Sequence, residues 1–147
     1  MLNQGGINLD LYKKTEYLLY NYKMMKAEIK NIDLEISQME YIGCAAIGYS
    51  EKSGPTNAFN SSVENEVIVR EKRILSLEDS KRDKVMIINK IDNAIGTLEE
   101  RDLSIVKLRY FDKLSNRIIA TRLDLTEEWI CTLKAIVINK LSNLINI

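Results

Sequence analysis

Residues 115–134 read SNRIIATRLDLTEEWICTLK. The spacing predicts two short helices meeting at a tight corner. Ser115 suits the N-cap of the first, which ends at Leu123, and Thr126 suits the N-cap of a second that continues to about Ile145. Two helices crossing steeply need a small residue at closest approach, and Ala120 supplies it. They need apolar contacts on their facing sides, and Ile119, Leu123, Leu125, Ile130 and Leu133 supply them. The corner needs a residue that tolerates positive φ. Glycine is the usual occupant, and here it is Asp124, a less favoured but permitted one.

In such a helix-turn-helix the second helix enters the major groove of DNA, and its exposed N-terminal residues meet base edges. Those residues are Thr126, Glu127, Glu128, Trp129, Cys131 and Thr132, with Ala135 one turn on. Ser115, Asn116 and Arg117 open the preceding helix, where free amides and the positive dipole end favour a phosphate. Lys134 and Lys140 are further phosphate candidates, and Arg109, Lys113 and Arg122 extend that footprint. Residues 99–147 carry 8 basic and 7 acidic side chains, a net of +1, which is weak for a freestanding DNA binder. Trp129 has two readings, stacking on DNA or facing a thymine methyl, and packing on the 99–111 helix. Cys131 is read as a small packing residue rather than a redox sensor. Glu99-Glu100 and Glu127-Glu128 lie in first helical turns, where the dipole favours anions without any acid–base chemistry.

Upstream, Thr97-Leu98-Glu99-Glu100 reads as a capping box opening a helix through about Phe111, after which Asp112-Lys113-Leu114 connects. Gly96 suits a left-handed cap on the helix before it. From Asp10 to Tyr41 there is no Pro or Gly. Leu18, Tyr22, Met25, Ile29, Ile32, Ile36 and Met39 recur there at spacings of 4 and 3, a heptad seam on a helix of about 12–41. Residues 42–60 break the pattern, and Ser53-Gly54-Pro55 is a turn signal; this linker is either a functional loop or partly mobile. Ser61 to Glu64 reads as a second capping box, starting a helix of about 62–95. Its seam contains Arg70, Lys81 and Lys84, so it wants partner carboxylates, with Glu28, Asp33 and Glu35 as candidates. Tyr12, Tyr17, Tyr20, Tyr22 and Tyr41 cluster on the first helix and suggest a partner surface. The expectation is an all-α fold: a long antiparallel, coiled-coil-like hairpin over 1–98, then a helix-turn-helix domain over 99–147. Heptads on both helices pair either within one chain or between chains, and a homodimer is expected.

The 147 residues balance 21 Lys+Arg against 21 Asp+Glu and contain no histidine. Net neutrality leaves no global field toward nucleic acid. The missing histidines remove the commonest general base and metal ligand, and no Gly-rich phosphate loop is present, so an enzyme is not expected. No cofactor or metal is expected either. Cys44 and Cys131 are too few for a disulfide framework and fit a reduced, cytoplasmic chain. Cys44 reads as a loop or helix-end residue. No secretory signal or membrane span is read.

The run ERDLSIVKLRYFDKLSNRIIATRLDLTEEWICTLKAIVINKL, from Glu100 to Leu141, resembles region 4 of the primary sigma factors. Over about 12–142 the chain is similar to the ArpU/RinA group of phage late-gene transcription regulators: an N-terminal TEYLLYNYK helix, a linker with a Pro/Gly turn, a charged second helix and a sigma-like helix-turn-helix. The resemblance implies a sequence-specific DNA-binding regulator of phage late or packaging genes. It assigns recognition to Thr126, Glu127, Glu128, Trp129, Cys131 and Thr132, and phosphate contact to Ser115, Asn116, Arg117 and Lys134. Many relatives carry Arg or Lys early in the recognition helix, where this chain has Trp129, Cys131 and Thr132. The alternative is a protein-interaction module that binds RNA polymerase or a sigma factor with little DNA contact.

Overall fold

The computed structural model describes residues 8–49 and 60–147, with side chains described over 8–45 and 62–147. Six α-helices form there: α1 (Leu9–Tyr20), α2 (Tyr22–Tyr49), α3 (Asn60–Ile95), α4 (Glu100–Val106), α5 (Asn116–Leu123) and α6 (Glu127–Ile145). A π-helical turn, Lys107–Phe111, extends α4. There is no strand among the described residues, so the fold is all-α as expected.

The predicted 12–41 helix is two helices. Asn8 caps α1, its side-chain oxygen accepting from the amides of Asp10 and Leu11 at 3.2 and 3.4 Å. Asn21 then leaves helical geometry (φ −94°, ψ 3°). Its side-chain amide donates to the Tyr17 carbonyl at 2.7 Å, offering the backbone a local alternative to the helical ladder. Helix α2 runs on through Gly43 and Gly48 to Tyr49 rather than stopping near 41. A glycine costs a helix only about 1 kcal/mol relative to alanine, too little to end one that flanking residues support. The expected turn at Ser53-Gly54-Pro55 and most of the 42–60 linker lie outside the described residues. Helix α3 begins at Asn60, so Ser61 stands inside it and is not its N-cap; the Ser61 side chain lies outside the described residues. Gly96 has no positive φ. The α3 end tightens instead through Thr97 N–H to Ala94 O and Leu98 N–H to Ile95 O. The Thr97 hydroxyl donates to the Ala94 carbonyl at 2.7 Å, so the predicted capping box does not form. Glu99 is the N-cap of α4, without a side-chain bond.

Contacts group the chain into two compact units, Met1–Met25 with Met86–Ile147, and Lys26–Val85. The boundary expected at 98 falls inside the first unit. The reason is packing: α1 lies against α6 and against the π-turn. Leu19, Ile91, Ile105, Val106, Tyr110, Ile119, Ile130, Val137, Ile138 and Leu141 are fully buried there. Thr15 joins them, its hydroxyl donating to Leu11 O at 2.8 Å and accepting from Asn146 at 3.1 Å, which satisfies a buried polar group. The tyrosines divide. Tyr22 is buried, stacked on Phe111 at 4.4 Å with its hydroxyl donating to Asp92, and Tyr20 meets Tyr110 edge-on at 4.9 Å. Only Tyr17 and Tyr41 of the expected partner surface are exposed.

In the second unit α2 and α3 run antiparallel. Glu28 meets Lys84 at 2.8 Å, Asp33 meets Lys81, and Glu35 meets Arg73 at 3.3 Å. The seam lysines thus find the predicted carboxylates within the same chain. Glu35 takes Arg73 rather than the seam residue Arg70. Arg70 lies against Gly43, where an added Cβ would stand 3.3 Å from its guanidinium.

Because α1 is part of the first unit's core, Leu19→Ala should cost about 2–5 kcal/mol, as deletion of a buried leucine side chain does elsewhere. Urea unfolding followed by circular dichroism measures it. A loss under about 0.5 kcal/mol would mean that α1 is peripheral.

Candidate nucleic-acid interface

The helix-turn-helix is built from three devices. The first is the π-turn, in which Asp112 N–H donates to Lys107 O at 2.9 Å, five residues back. Lys113 then adopts φ 56°, and Leu114 N–H donates to Leu108 O at 3.0 Å. This left-handed residue reverses the chain and turns Leu114 onto the core. The second is Ser115, whose hydroxyl accepts from Ile118 N–H at 3.4 Å and starts α5. The third is the corner, where Asp124 sits at φ 54°, ψ 45°. Leu125 N–H returns to Ala120 O at 2.9 Å, the six-to-one bond of a Schellman ending. Thr126 then caps α6, its hydroxyl accepting from Trp129 N–H at 3.1 Å.

All six predicted contact residues pack where expected. Ile119, Ala120, Ile130 and Leu133 form one buried cluster with Ile105, and Leu123 and Leu125 pack against it with Leu108 and Leu114. That arrangement turns the other face of α6 outward. Thr126, Glu127, Glu128, Cys131 and Thr132 are exposed, as are Ser115 and Arg117. Trp129 keeps 43% of its surface open, which leaves the indole available at this face. The Thr132 hydroxyl donates to Glu128 O at 3.1 Å and retains its lone pairs as acceptors.

Four residues depart from their expected placement. Cys131 is exposed, in line with its place among the recognition residues and against its reading as a packing residue, and Asn116, half-buried, donates its side-chain amide to the Cys131 sulfur at 3.1 Å. Lys134 does not project outward. Its ammonium lies 3.8 Å from Glu16 of α1, with only 20% of the side chain exposed, so a phosphate would have to compete with that carboxylate. Arg109 also points inward, donating to Leu114 O at 3.0 Å with its guanidinium 5.9 Å above the Tyr20 ring. Lys113, Arg122 and Lys140 are exposed, as is Arg117.

The residue that sequence reasoning missed is Glu16. One of its carboxylate oxygens accepts from the Tyr110 hydroxyl at 2.7 Å and faces Lys134. Burial, then the bond to Glu16, holds the Tyr110 hydroxyl protonated far above the ordinary tyrosine range. Tyr12 is raised as well, first by burial and then by Glu16 and Cys131. The available signal was Leu11, Thr15 and Leu19 at spacing 4, a second inward stripe beside the heptad seam.

Residues 94–143 match the family model described as Sigma-70, region 4. This segment, which contains the corner and both of its helices, is a sigma region 4-like helix-turn-helix domain. No curated protein and no solved structure matches the chain. Among the described residues no group of three or more His, Cys, Asp or Glu could hold a metal ion. No helix there is long and apolar enough to cross a membrane.

Substitutions at two positions check this construction. Tyr110→Phe strips a charge-assisted bond from Glu16 and should cost about 1–3 kcal/mol in chemical denaturation. Asp124→Val forces a β-branched residue into the left-handed region, with an expected cost of about 1–2 kcal/mol, whereas Asp124→Gly should stay within about 1 kcal/mol of the parent. Equal effects of Val and Gly would mean that the corner does not depend on positive φ.

Proposed function

We propose that this chain is a sequence-specific DNA-binding transcription regulator that reads duplex DNA through the N-terminal turns of α6. The observation that carries the reading is the left-handed corner at Asp124, with Thr126, Glu127, Glu128, Trp129, Cys131 and Thr132 exposed at the start of α6, inside the segment matched to sigma region 4. Polar edges of Thr126 and Thr132 suit hydrogen bonding to bases, and acidic Glu127 or Glu128 suits a cytosine amino group. Trp129 suits apolar contact with a thymine methyl. Ser115 and Arg117, at the dipole-positive start of α5, suit a phosphate. Asn116 contributes by holding Cys131, and Lys134 by holding α1.

The finer reading is a phage or mobile-element protein of the ArpU/RinA kind, acting in the cytoplasm on late or packaging promoters and engaging RNA polymerase. Its support is the layout of the whole chain, with TEYLLYNYK at Thr15–Lys23 and a charged α3 ahead of the sigma-like domain. No catalytic role and no cofactor belong to this reading. A second reading is a module that holds polymerase or a sigma factor with little DNA contact. The exposed acidic pair Glu127-Glu128 at the start of α6 favours it.

Fluorescence anisotropy with duplex from upstream of the chain's own genetic neighbourhood, against random duplex, separates the two. The first reading expects tighter binding to the upstream duplex and a steep loss with salt. Arg117→Ala should weaken all duplexes alike and lower the log–log salt slope by about 1, whereas Thr132→Val should cost about 1–3 kcal/mol on the preferred sequence alone. Equal affinity for both duplexes, with polymerase still retained in a pull-down by the Arg117→Ala, Arg122→Ala variant, selects the second reading.

A further inference from the structure

Helix α2 carries a second heptad stripe, on the side facing away from α3. Ala27, Asn31, Leu34, Gln38, Tyr41 and Ala45 recur at spacings of 4, 3, 4, 3 and 4. All six are exposed, with Leu34 at 69% and Tyr41 at 76%, whereas Ile29, Ile32, Ile36 and Met39 of the inward seam are not. None of the six is charged, in a chain that is 29% charged. A solvated helix face normally carries the charges, so this stripe is built like a coiled-coil seam without a partner.

We infer that this stripe is the contact face for a second copy of the chain, with the two α2 helices parallel. In that register Leu34 and Tyr41 take d positions, and Asn31 and Gln38 take a positions. Each residue meets its own counterpart, and Asn31 opposite Asn31 can hydrogen-bond, the device that sets register and two-strandedness in such seams. Charge complementarity selects the same arrangement. Lys30 occupies a g position and Glu35 the following e position, so Lys30 of one copy faces Glu35 of the other, twice by symmetry. Lys30 makes no ion pair among the described residues, and Glu35 gives Oε1 to Arg73, which leaves the carboxylate's other oxygen for a second donor. An antiparallel pairing would set Glu35 against Glu35 and Asn31 against Tyr41. The antiparallel hairpin closes within one chain through Lys81–Asp33 and Lys84–Glu28, so its own seam is already filled and the outward stripe is a separate surface.

Multi-angle light scattering of the full chain at tens of micromolar should give a dimer. Leu34→Asp with Tyr41→Asp should give a monomer with unchanged helical circular dichroism, because both side chains are already outside the hairpin. In a chain carrying Cys44→Ser and Cys131→Ser, Leu34→Cys should form an intermolecular disulfide under mild oxidation. If the double variant loses helix, Lys30→Glu decides: a dimer weakened about tenfold supports the pairing, and an unchanged one overturns it. A monomeric parent chain, a dimer that survives the double variant, or no disulfide at position 34 from a dimeric chain overturns it as well. The inference is independent of the DNA-binding reading: a monomer that binds duplex sinks only the former, and a dimer that does not bind sinks only the latter.

Discussion

Two short helices can bury their facing sides only if the chain between them reverses in very few residues and nothing bulky stands where they cross. Ala120 and Asp124 meet those two conditions together. The left-handed backbone at Asp124 swings Leu125 N–H onto the Ala120 carbonyl, and that bond brings Leu125 onto the same cluster as Ile119, Ile130 and Leu133. Thr126 is thereby placed to cap α6. Everything on the outer face of α6 follows from this geometry, because a helix that buries Ile130 and Leu133 must expose Glu127, Cys131 and Thr132.

The second constraint is the clamp that α1 places on α6. One oxygen of Glu16 receives the Tyr110 hydroxyl and faces Lys134, while Thr15 holds Asn146 at the far end of α6. A half-buried carboxylate is tolerable only with such partners, since desolvation of an unpaired charge would outweigh the packing gain. The consequence is functional as well as structural. Lys134 is held against Glu16, whereas Lys113, Arg117, Arg122 and Lys140 are exposed. The helix-turn-helix is accordingly not a C-terminal appendage. It shares one core with the first helix and with the end of α3.

Much of this was legible in residues 115–145. The N-caps at Ser115 and Thr126, the ends at Leu123 and Ile145, and the positive φ of Asp124 are local matters, decided within four or five residues by capping and turn chemistry. The carboxylates for the seam lysines were legible as candidates, because Glu28 and Asp33 flank the seam of the first helix, but their pairing with Lys84 and Lys81 within one chain was set by the register of the two helices. The capping box at Thr97 failed for an equally local reason: its hydroxyl had a nearer acceptor in the Ala94 carbonyl. The break at Asn21 was obscured because seam periodicity continues across it, and one residue leaving helical geometry does not disturb a 4, 3 pattern of apolar side chains.

The amino-acid sequence by itself determined the all-α class, the corner and the face of α6 that is turned outward, because capping, turn chemistry and helical periodicity fix each of them. It did not determine which side chains on that face are at liberty. Lys134 and Arg109 were claimed by Glu16 and by Leu114 and Tyr20, and the Glu16 contacts join residues about a hundred positions apart. Periodicity reports that a side is apolar or polar and says nothing of which distant helix will cover it. Only the tertiary structure, by laying α1 on α6, decided that.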